Sequence, residues 1–178
     1  MSERPPRARL LNVPNTLSFL RLPLAVLFIL TESPLGRAAI IILAAVSDGI
    51  DGWLARKLRQ DAGAGQIVDP ITDKLFVLVA LATLAARREL ASWMVVLLLA
   101  RDIFNSFAYF IIKALGWHVH FKARFSGKTV TVLQLGVMLS ALLWRPALLP
   151  MVIVTALASL IAIWDYTTAI LAQRKRAA

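Results

Sequence analysis

The sequence predicts an all-α integral membrane protein, with six transmembrane helices behind a short N-terminal interfacial segment. Its 178 residues are 59% hydrophobic, against about 45–50% apolar in an ordinary soluble domain. Mean hydropathy is +0.73. The apolar residues fall in six runs, near 15–33, 36–57, 67–86, 90–113, 128–145 and 148–171. Each is close to the roughly 20 residues a helix needs to cross the hydrocarbon core. The connections between them are short, so one membrane domain over 1–178 is expected: a 1–14 N-terminus, a 15–171 six-helix core and a 172–178 basic tail.

Each element follows from local chemistry. The N-terminus is positive and then apolar, as in a signal peptide. No small-residue cleavage site closes the first run, however, and more runs follow it. LLNVPNTLSFLRLP mixes apolar and basic residues, with Asn15 before Thr16 as a candidate cap. It suits a segment lying along the interface before the chain turns inward. Arg21, early in helix 1, is expected to snorkel to the headgroups. Helix 2 ends in a run of aspartates, and helix 3 opens on more of them after a 58–66 loop. RREL joins helices 3 and 4, a basic 114–127 loop leads to helix 5, and RPA leads to helix 6.

Basic residues set the orientation. With the N-terminus inside, the inner segments carry 13 Lys and Arg and the outer ones 4. The expected location is therefore a multi-pass cell (inner) membrane protein with both termini cytoplasmic. The net charge of +10 then points to anionic headgroups and phosphate substrates. Nucleic acid is excluded as a partner, because it would explain the charge and not the hydrophobicity. With no cysteine, disulfides and thiolate metal ligands are excluded as well.

The chemistry concentrates in DGIDGWLARKLRQDAGAGQIVDPITD, residues 48–73, which hold five of the ten acidic residues. Asp48 and Asp51 are three apart, and Asp69 and Asp73 four apart. Either spacing puts both carboxylates on one helix face. A hairpin of helices 2 and 3 would gather all four near the cytoplasmic surface. Four carboxylates at a membrane edge repel one another and are costly to desolvate. Divalent ions relieve both problems, and an all-carboxylate oxygen site suits Mg2+ or Mn2+. Such ions also neutralise a diphosphate and assist substitution at phosphorus. Taken singly, Asp69 also suits a helix cap with Pro70 in the first turn, and Asp61 suits a solvated loop charge. Gly52 and Ala55 leave room for a phosphate against the helix backbone or for a neighbouring helix. Gly65 permits a tight entry to helix 3. Arg56 is placed to clamp a diphosphate or to anchor the positive-inside face.

Asp48, Asp51, Gly52, Ala55, Arg56, Gly65, Asp69 and Asp73 reproduce every fixed position and gap of D-x2-D-G-x2-A-R-x8-G-x3-D-x3-D. The chain thereby resembles the CDP-alcohol phosphatidyltransferase family, from NVPNTLSFLRL before helix 1 to SGKTVTVLQ at helix 5. The resemblance implies that family's fold and a transfer of a substituted phosphate from a CDP-linked lipid to an alcohol, with release of CMP. It implies that Asp48, Asp51, Asp69 and Asp73 hold a pair of Mg2+ or Mn2+ ions. Asp73 would also be the base for the acceptor hydroxyl. Gly52, Ala55, Arg56 and Gly65 would cradle the CDP of CDP-diacylglycerol. A homodimer with a polar cavity open sideways to membrane lipids is implied too.

The acceptor alcohol must be read outside that stretch. Arg101-Asp102 interrupts helix 4, where intramembrane charges face a cavity or pair with each other. Lys122, Arg124 and Lys128 lie near the cytoplasmic mouth, suited to an acceptor phosphate or to anionic lipid. The flanking motifs resemble the phosphatidylglycerophosphate synthase and cardiolipin synthase branch, which favours glycerol 3-phosphate as acceptor. Phosphatidylglycerol and inositol phosphate are the alternatives; Arg-Asp in place of the Arg-Glu common in the phosphatidylglycerophosphate synthases looks more like the cardiolipin branch. A small transporter or an inactive scaffold would accommodate the helices but leave the intact signature unexplained.

Overall fold

The computed structural model describes the backbone of residues 13–58, 65–114 and 125–177, and the side chains of 20–50, 74–108, 110–112, 114 and 126–173. Among these residues six α-helices follow one another: α1 Val13–Leu30, α2 Pro34–Leu58, α3 Gly65–Ala86, α4 Ser92–Ala114, α5 Phe125–Leu143 and α6 Leu148–Ala177, with a 3-10 turn at Arg145–Ala147 before α6. The chain divides into two compact units, 1–83 and 84–178.

In the first unit, α1 packs on α2. Ser33 caps α2, its Oγ accepting the Gly36 N–H at 3.3 Å, with Pro34 as the first helical residue. Arg37 is buried and donates from Nη2 to the Glu32 carbonyl at 3.3 Å, just past the end of α1. A cation there also complements the negative end of the α1 dipole. Ala25 and Phe28 of α1 and Ile41 and Ala44 of α2 are buried. The Phe28 ring meets Phe76 of α3 edge-on, with centroids 6.3 Å apart, a favoured aromatic geometry.

In the second unit, α6 packs on both α4 and α5. Its core includes Leu98, Val130, Val137, Met138 and Val152. Two buried hydroxyls are satisfied within their own helices: Thr155 Oγ1 donates to the Met151 carbonyl and Ser140 Oγ to that of Val137. The outward faces stay apolar, with Phe107 and Phe110 on α4 and Leu160, Ile161 and Trp164 on α6 exposed. Such faces suit lipid. Trp93 at the start of α4 and Trp144 after α5 are exposed, where indole rings suit the membrane interface.

The helix count agrees with the sequence, but the expectation of six transmembrane helices is corrected. Among the described residues, three helices are long and apolar enough to cross a membrane: Ser92–Ile112, Ser126–Leu143 and Arg145–Gln173. Charge position explains the difference. In α2 the stretch between Arg37 and Asp48 is only residues 38–47, about 15 Å of helix at 1.5 Å per residue, half the hydrocarbon thickness. The described apolar stretches of α1 and α3, Leu20–Leu30 and Lys74–Ala86, are also short. Counting apolar runs carried the α2 span past Arg37 and Asp48, which close its apolar stretch.

The α3–α4 connection closes on a Schellman motif. Arg88 N–H bonds the Ala85 carbonyl and Glu89 N–H that of Leu84, at 3.0 and 2.8 Å. Arg88 takes a φ of 57°, a conformation in which a side chain is strained and glycine is not. Arg88→Gly is expected to stabilise the protein by about 1 kcal/mol, after its own chain-entropy penalty. Thermal unfolding in detergent should show a midpoint raised by about 2–4 °C.

Candidate active site

The signature residues are carried by α2 and α3. Asp48, Asp51, Gly52, Ala55 and Arg56 lie in the last turns of α2, one continuous helix to Leu58. Asp48 and Asp51 therefore stand one turn apart, as their spacing predicts. Gly65 is the first residue of α3, with Asp69 and Asp73 one turn apart within it. Pro70 is also inside α3 and not in its first turn, so a capping role for Asp69 does not apply. The side chains of Asp51, Arg56, Asp69 and Asp73 lie outside the described residues, as does Asp61 altogether.

Asp48 has a partner that the sequence did not suggest. Arg21 of α1 donates from Nη2 to Asp48 Oδ1 at 2.8 Å. The Arg21 side chain is 2% exposed and the Asp48 carboxylate 61% exposed. Arg21 thus does not snorkel to the headgroups: it is buried, with its charge directed at the first aspartate of the signature. A lone cation in an apolar run requires a partner on a neighbouring helix. That rule was the available signal, although it could not single out a residue 27 positions away.

The second unit holds another polar cluster. Arg101 Nη1 donates to Asp102 Oδ1 at 3.1 Å within α4. Gln134 of α5 is buried and donates from Nε2 to the Leu98 carbonyl at 2.6 Å and to Asp102 Oδ2 at 3.3 Å. Near the start of α5, Ser126 Oγ donates to Asp165 Oδ2 of α6 at 2.8 Å. Gly127 abuts the Arg101 guanidinium so closely that a methyl group there would overlap Nη2. Lys128 is exposed on the same turn. Lys122 and Arg124 fall outside the described residues. Arg101 and Lys128, both singled out in the sequence, thus come from two helices that meet. Gln134 and Gly127 were missed; a glutamine amid apolar residues, which must find a hydrogen-bond partner when buried, was the signal for the first.

The chemistry of this arrangement suits phosphate groups. The signature aspartates belong to α2 and α3 of the first unit, and an arginine lies against a helix N-terminus in the second. A cation alone at that end of a helix is repelled by the dipole. An anion between guanidinium and helix end would turn the repulsion into two attractions.

Comparison with known proteins agrees. Residues 11–169 match the family model for CDP-alcohol phosphatidyltransferase. The chain is 37% identical over 145 residues to the CDP-diacylglycerol--glycerol-3-phosphate 3-phosphatidyltransferase of Escherichia coli (strain K12), covering 76% of this chain and 78% of that protein. Proteins of the same name from Escherichia coli O157:H7 and Shigella flexneri serotype 5b (strain 8401) show the same identity and coverage. The eight-position signature, its placement on α2 and α3, and a family match spanning nearly all six helices lead to one conclusion: this chain belongs to the CDP-alcohol phosphatidyltransferase family.

Proposed function

We propose that the enzyme transfers the phosphatidyl group of CDP-diacylglycerol to glycerol 3-phosphate, giving phosphatidylglycerophosphate and CMP. The observation that carries the choice of acceptor is the 37% identity, over three quarters of the chain, to proteins bearing that activity in their name. The Arg101–Lys128 cluster supports it, because a small dianionic acceptor needs a compact basic contact.

In this reading the acceptor hydroxyl oxygen bonds to the phosphatidyl phosphorus. The bond from that phosphorus to the CMP oxygen breaks, and CMP leaves with the electron pair. Asp73 takes the hydroxyl proton, directly or through one water. Gly52, Ala55, Arg56 and Gly65 hold the cytidine diphosphate, with Arg56 on its phosphates. Arg101 meets the acceptor phosphate, assisted by Lys122, Arg124 and Lys128.

Asp48, Asp51, Asp69 and Asp73 fit a divalent ion by donor chemistry. All four are carboxylates, and Asp48 presents an exposed carboxylate with Oδ1 already held by Arg21. Two Mg2+ or Mn2+ ions held by these residues would supply charge neutralisation at the diphosphate. We place the aspartate end and both termini on the cytoplasmic side. The basic residues beside that end, Arg56, Lys57 and Arg59, and at the termini, Arg4, Arg7, Arg9, Arg174, Lys175 and Arg176, support this. A homodimer bordered by membrane lipid completes the proposal.

An acceptor screen tests it. Purified enzyme with CDP-diacylglycerol and Mg2+ or Mn2+ should release CMP with glycerol 3-phosphate. Phosphatidylglycerol and inositol phosphate should give no lipid product. Product from either of those and none from glycerol 3-phosphate would reassign the enzyme. Arg101→Lys keeps the charge but loses the planar fork. It should raise KM for glycerol 3-phosphate about tenfold while KM for CDP-diacylglycerol stays within about twofold.

A further inference from the structure

We propose that Gln134 and Asp102 are positioning residues: they hold the Arg101 guanidinium against Gly127, with an N–H edge turned to the acceptor's anionic group. The proposal rests on the reading of Arg101 as the acceptor contact.

Adjacent residues on a helix do not face each other, since successive side chains leave the axis about 100° apart. The Arg101–Asp102 bond therefore requires both side chains to bend along the surface of α4. Asp102 needs a second anchor to stay there, and Gln134 provides it. Its amide is tied at 2.6 Å to the Leu98 carbonyl on α4 and reaches Asp102 Oδ2 at 3.3 Å. Asp102 Oδ1 then receives Arg101 Nη1 at 3.1 Å. Each carboxylate oxygen is thus engaged by a different residue, which fixes the carboxylate plane. Gly127 sets the other side of the guanidinium, since a Cβ there would displace Nη2 from its present position.

The remaining edge of Arg101 is the informative part. Its Nε is buried and has no hydrogen-bond partner among the described residues. The side chain as a whole keeps 16% exposure. A guanidinium held by Asp102 through one Nη, with an Nε that has no partner among the described residues, is arranged to take an oxyanion. A purely structural Arg–Asp pair between helices would use that donor within the protein. Asp102 also carries a counter-charge into the membrane-spanning stretch, so Arg101 can be retained there without ligand.

The test compares Gln134→Met, Gly127→Ala and Arg101→Lys in the full-length enzyme, with glycerol 3-phosphate and CDP-diacylglycerol varied separately and thermal midpoints recorded. Gln134→Met keeps the side-chain length and removes the amide. It is expected to raise KM for glycerol 3-phosphate about tenfold, with a smaller change in kcat and in KM for the lipid donor. Gly127→Ala displaces the guanidinium from the opposite side, and should give the same selective rise; it decides the matter if Gln134→Met does not fold. If Arg101→Lys raises acceptor KM but the other two leave it unchanged, the positioning role is overturned and the reading of Arg101 stands. If Arg101→Lys itself leaves acceptor KM unchanged, both fall. If Gln134→Met and Gly127→Ala lower the thermal midpoint and weaken both substrates equally, these residues are structural only, and the proposal is overturned.

Discussion

Asp69→Asn and Asp73→Asn are each expected to reduce phosphatidyl transfer by a factor of about a hundred to a thousand, in protein that stays folded. Asparagine preserves the shape of the side chain and removes its charge. The first helical turn after Gly65 contains neither residue, so the substitutions do not disturb a cap. Their effect therefore falls on the proposed chemistry. Loss of a full negative charge weakens the hold on a divalent ion, and at Asp73 it also removes the proton acceptor for the attacking hydroxyl. Chelation by EDTA should abolish turnover in the unmodified enzyme, with Mg2+ or Mn2+ restoring it. CMP release from CDP-diacylglycerol, measured with and without glycerol 3-phosphate, reads the effect directly. Full transferase activity in either variant would mean that the aspartates of α3 are not part of the site.

The placement of the signature residues on α2 and α3 was legible because its information is local. Asp48 and Asp51, and then Asp69 and Asp73, are spaced by one helical turn, and α2 and α3 run unbroken through them. Periodicity within one element needs no knowledge of its neighbours. What the sequence concealed were contacts that depend on how helices meet. Arg21 and Asp48 are 27 residues apart, and Gln134 and Asp102 are 32 apart. Neither spacing carries a period. Gly127 looked like an ordinary small residue at a helix start until Arg101 was found against it. The miscounted membrane spans have the opposite origin. Runs of apolar residues were legible, but the length that matters physically in α2 is the one between Arg37 and Asp48. The turn at Arg88 left no trace, since its left-handed backbone is filled by a residue that disfavours it.

The Arg21–Asp48 pair makes an asymmetric prediction about stability and function. Its two ends sit in different solvents: the arginine side chain is 2% exposed and the carboxylate 61%. Asp48→Ala leaves a guanidinium in the protein interior without the carboxylate it bonds at 2.8 Å. That should cost about 3 kcal/mol, at the low end for breaking a buried pair because half of this one is hydrated. Arg21→Met fills a similar volume and removes the buried charge together with its need for a partner. The carboxylate left behind already faces water, so the cost should stay below about 1 kcal/mol. In thermal unfolding, Asp48→Ala should lower the midpoint by roughly 6–12 °C and Arg21→Met by only a few degrees. The double variant should resemble Arg21→Met alone, because the buried guanidinium is gone. Activity should not follow the same order of severity. Arg21→Met frees the Asp48 carboxylate to rotate away from the aspartate cluster, and transfer should fall about tenfold in an almost fully stable protein. Equal destabilisation by the two single variants, or undiminished activity in Arg21→Met, would show that Arg21 only fills space between α1 and α2.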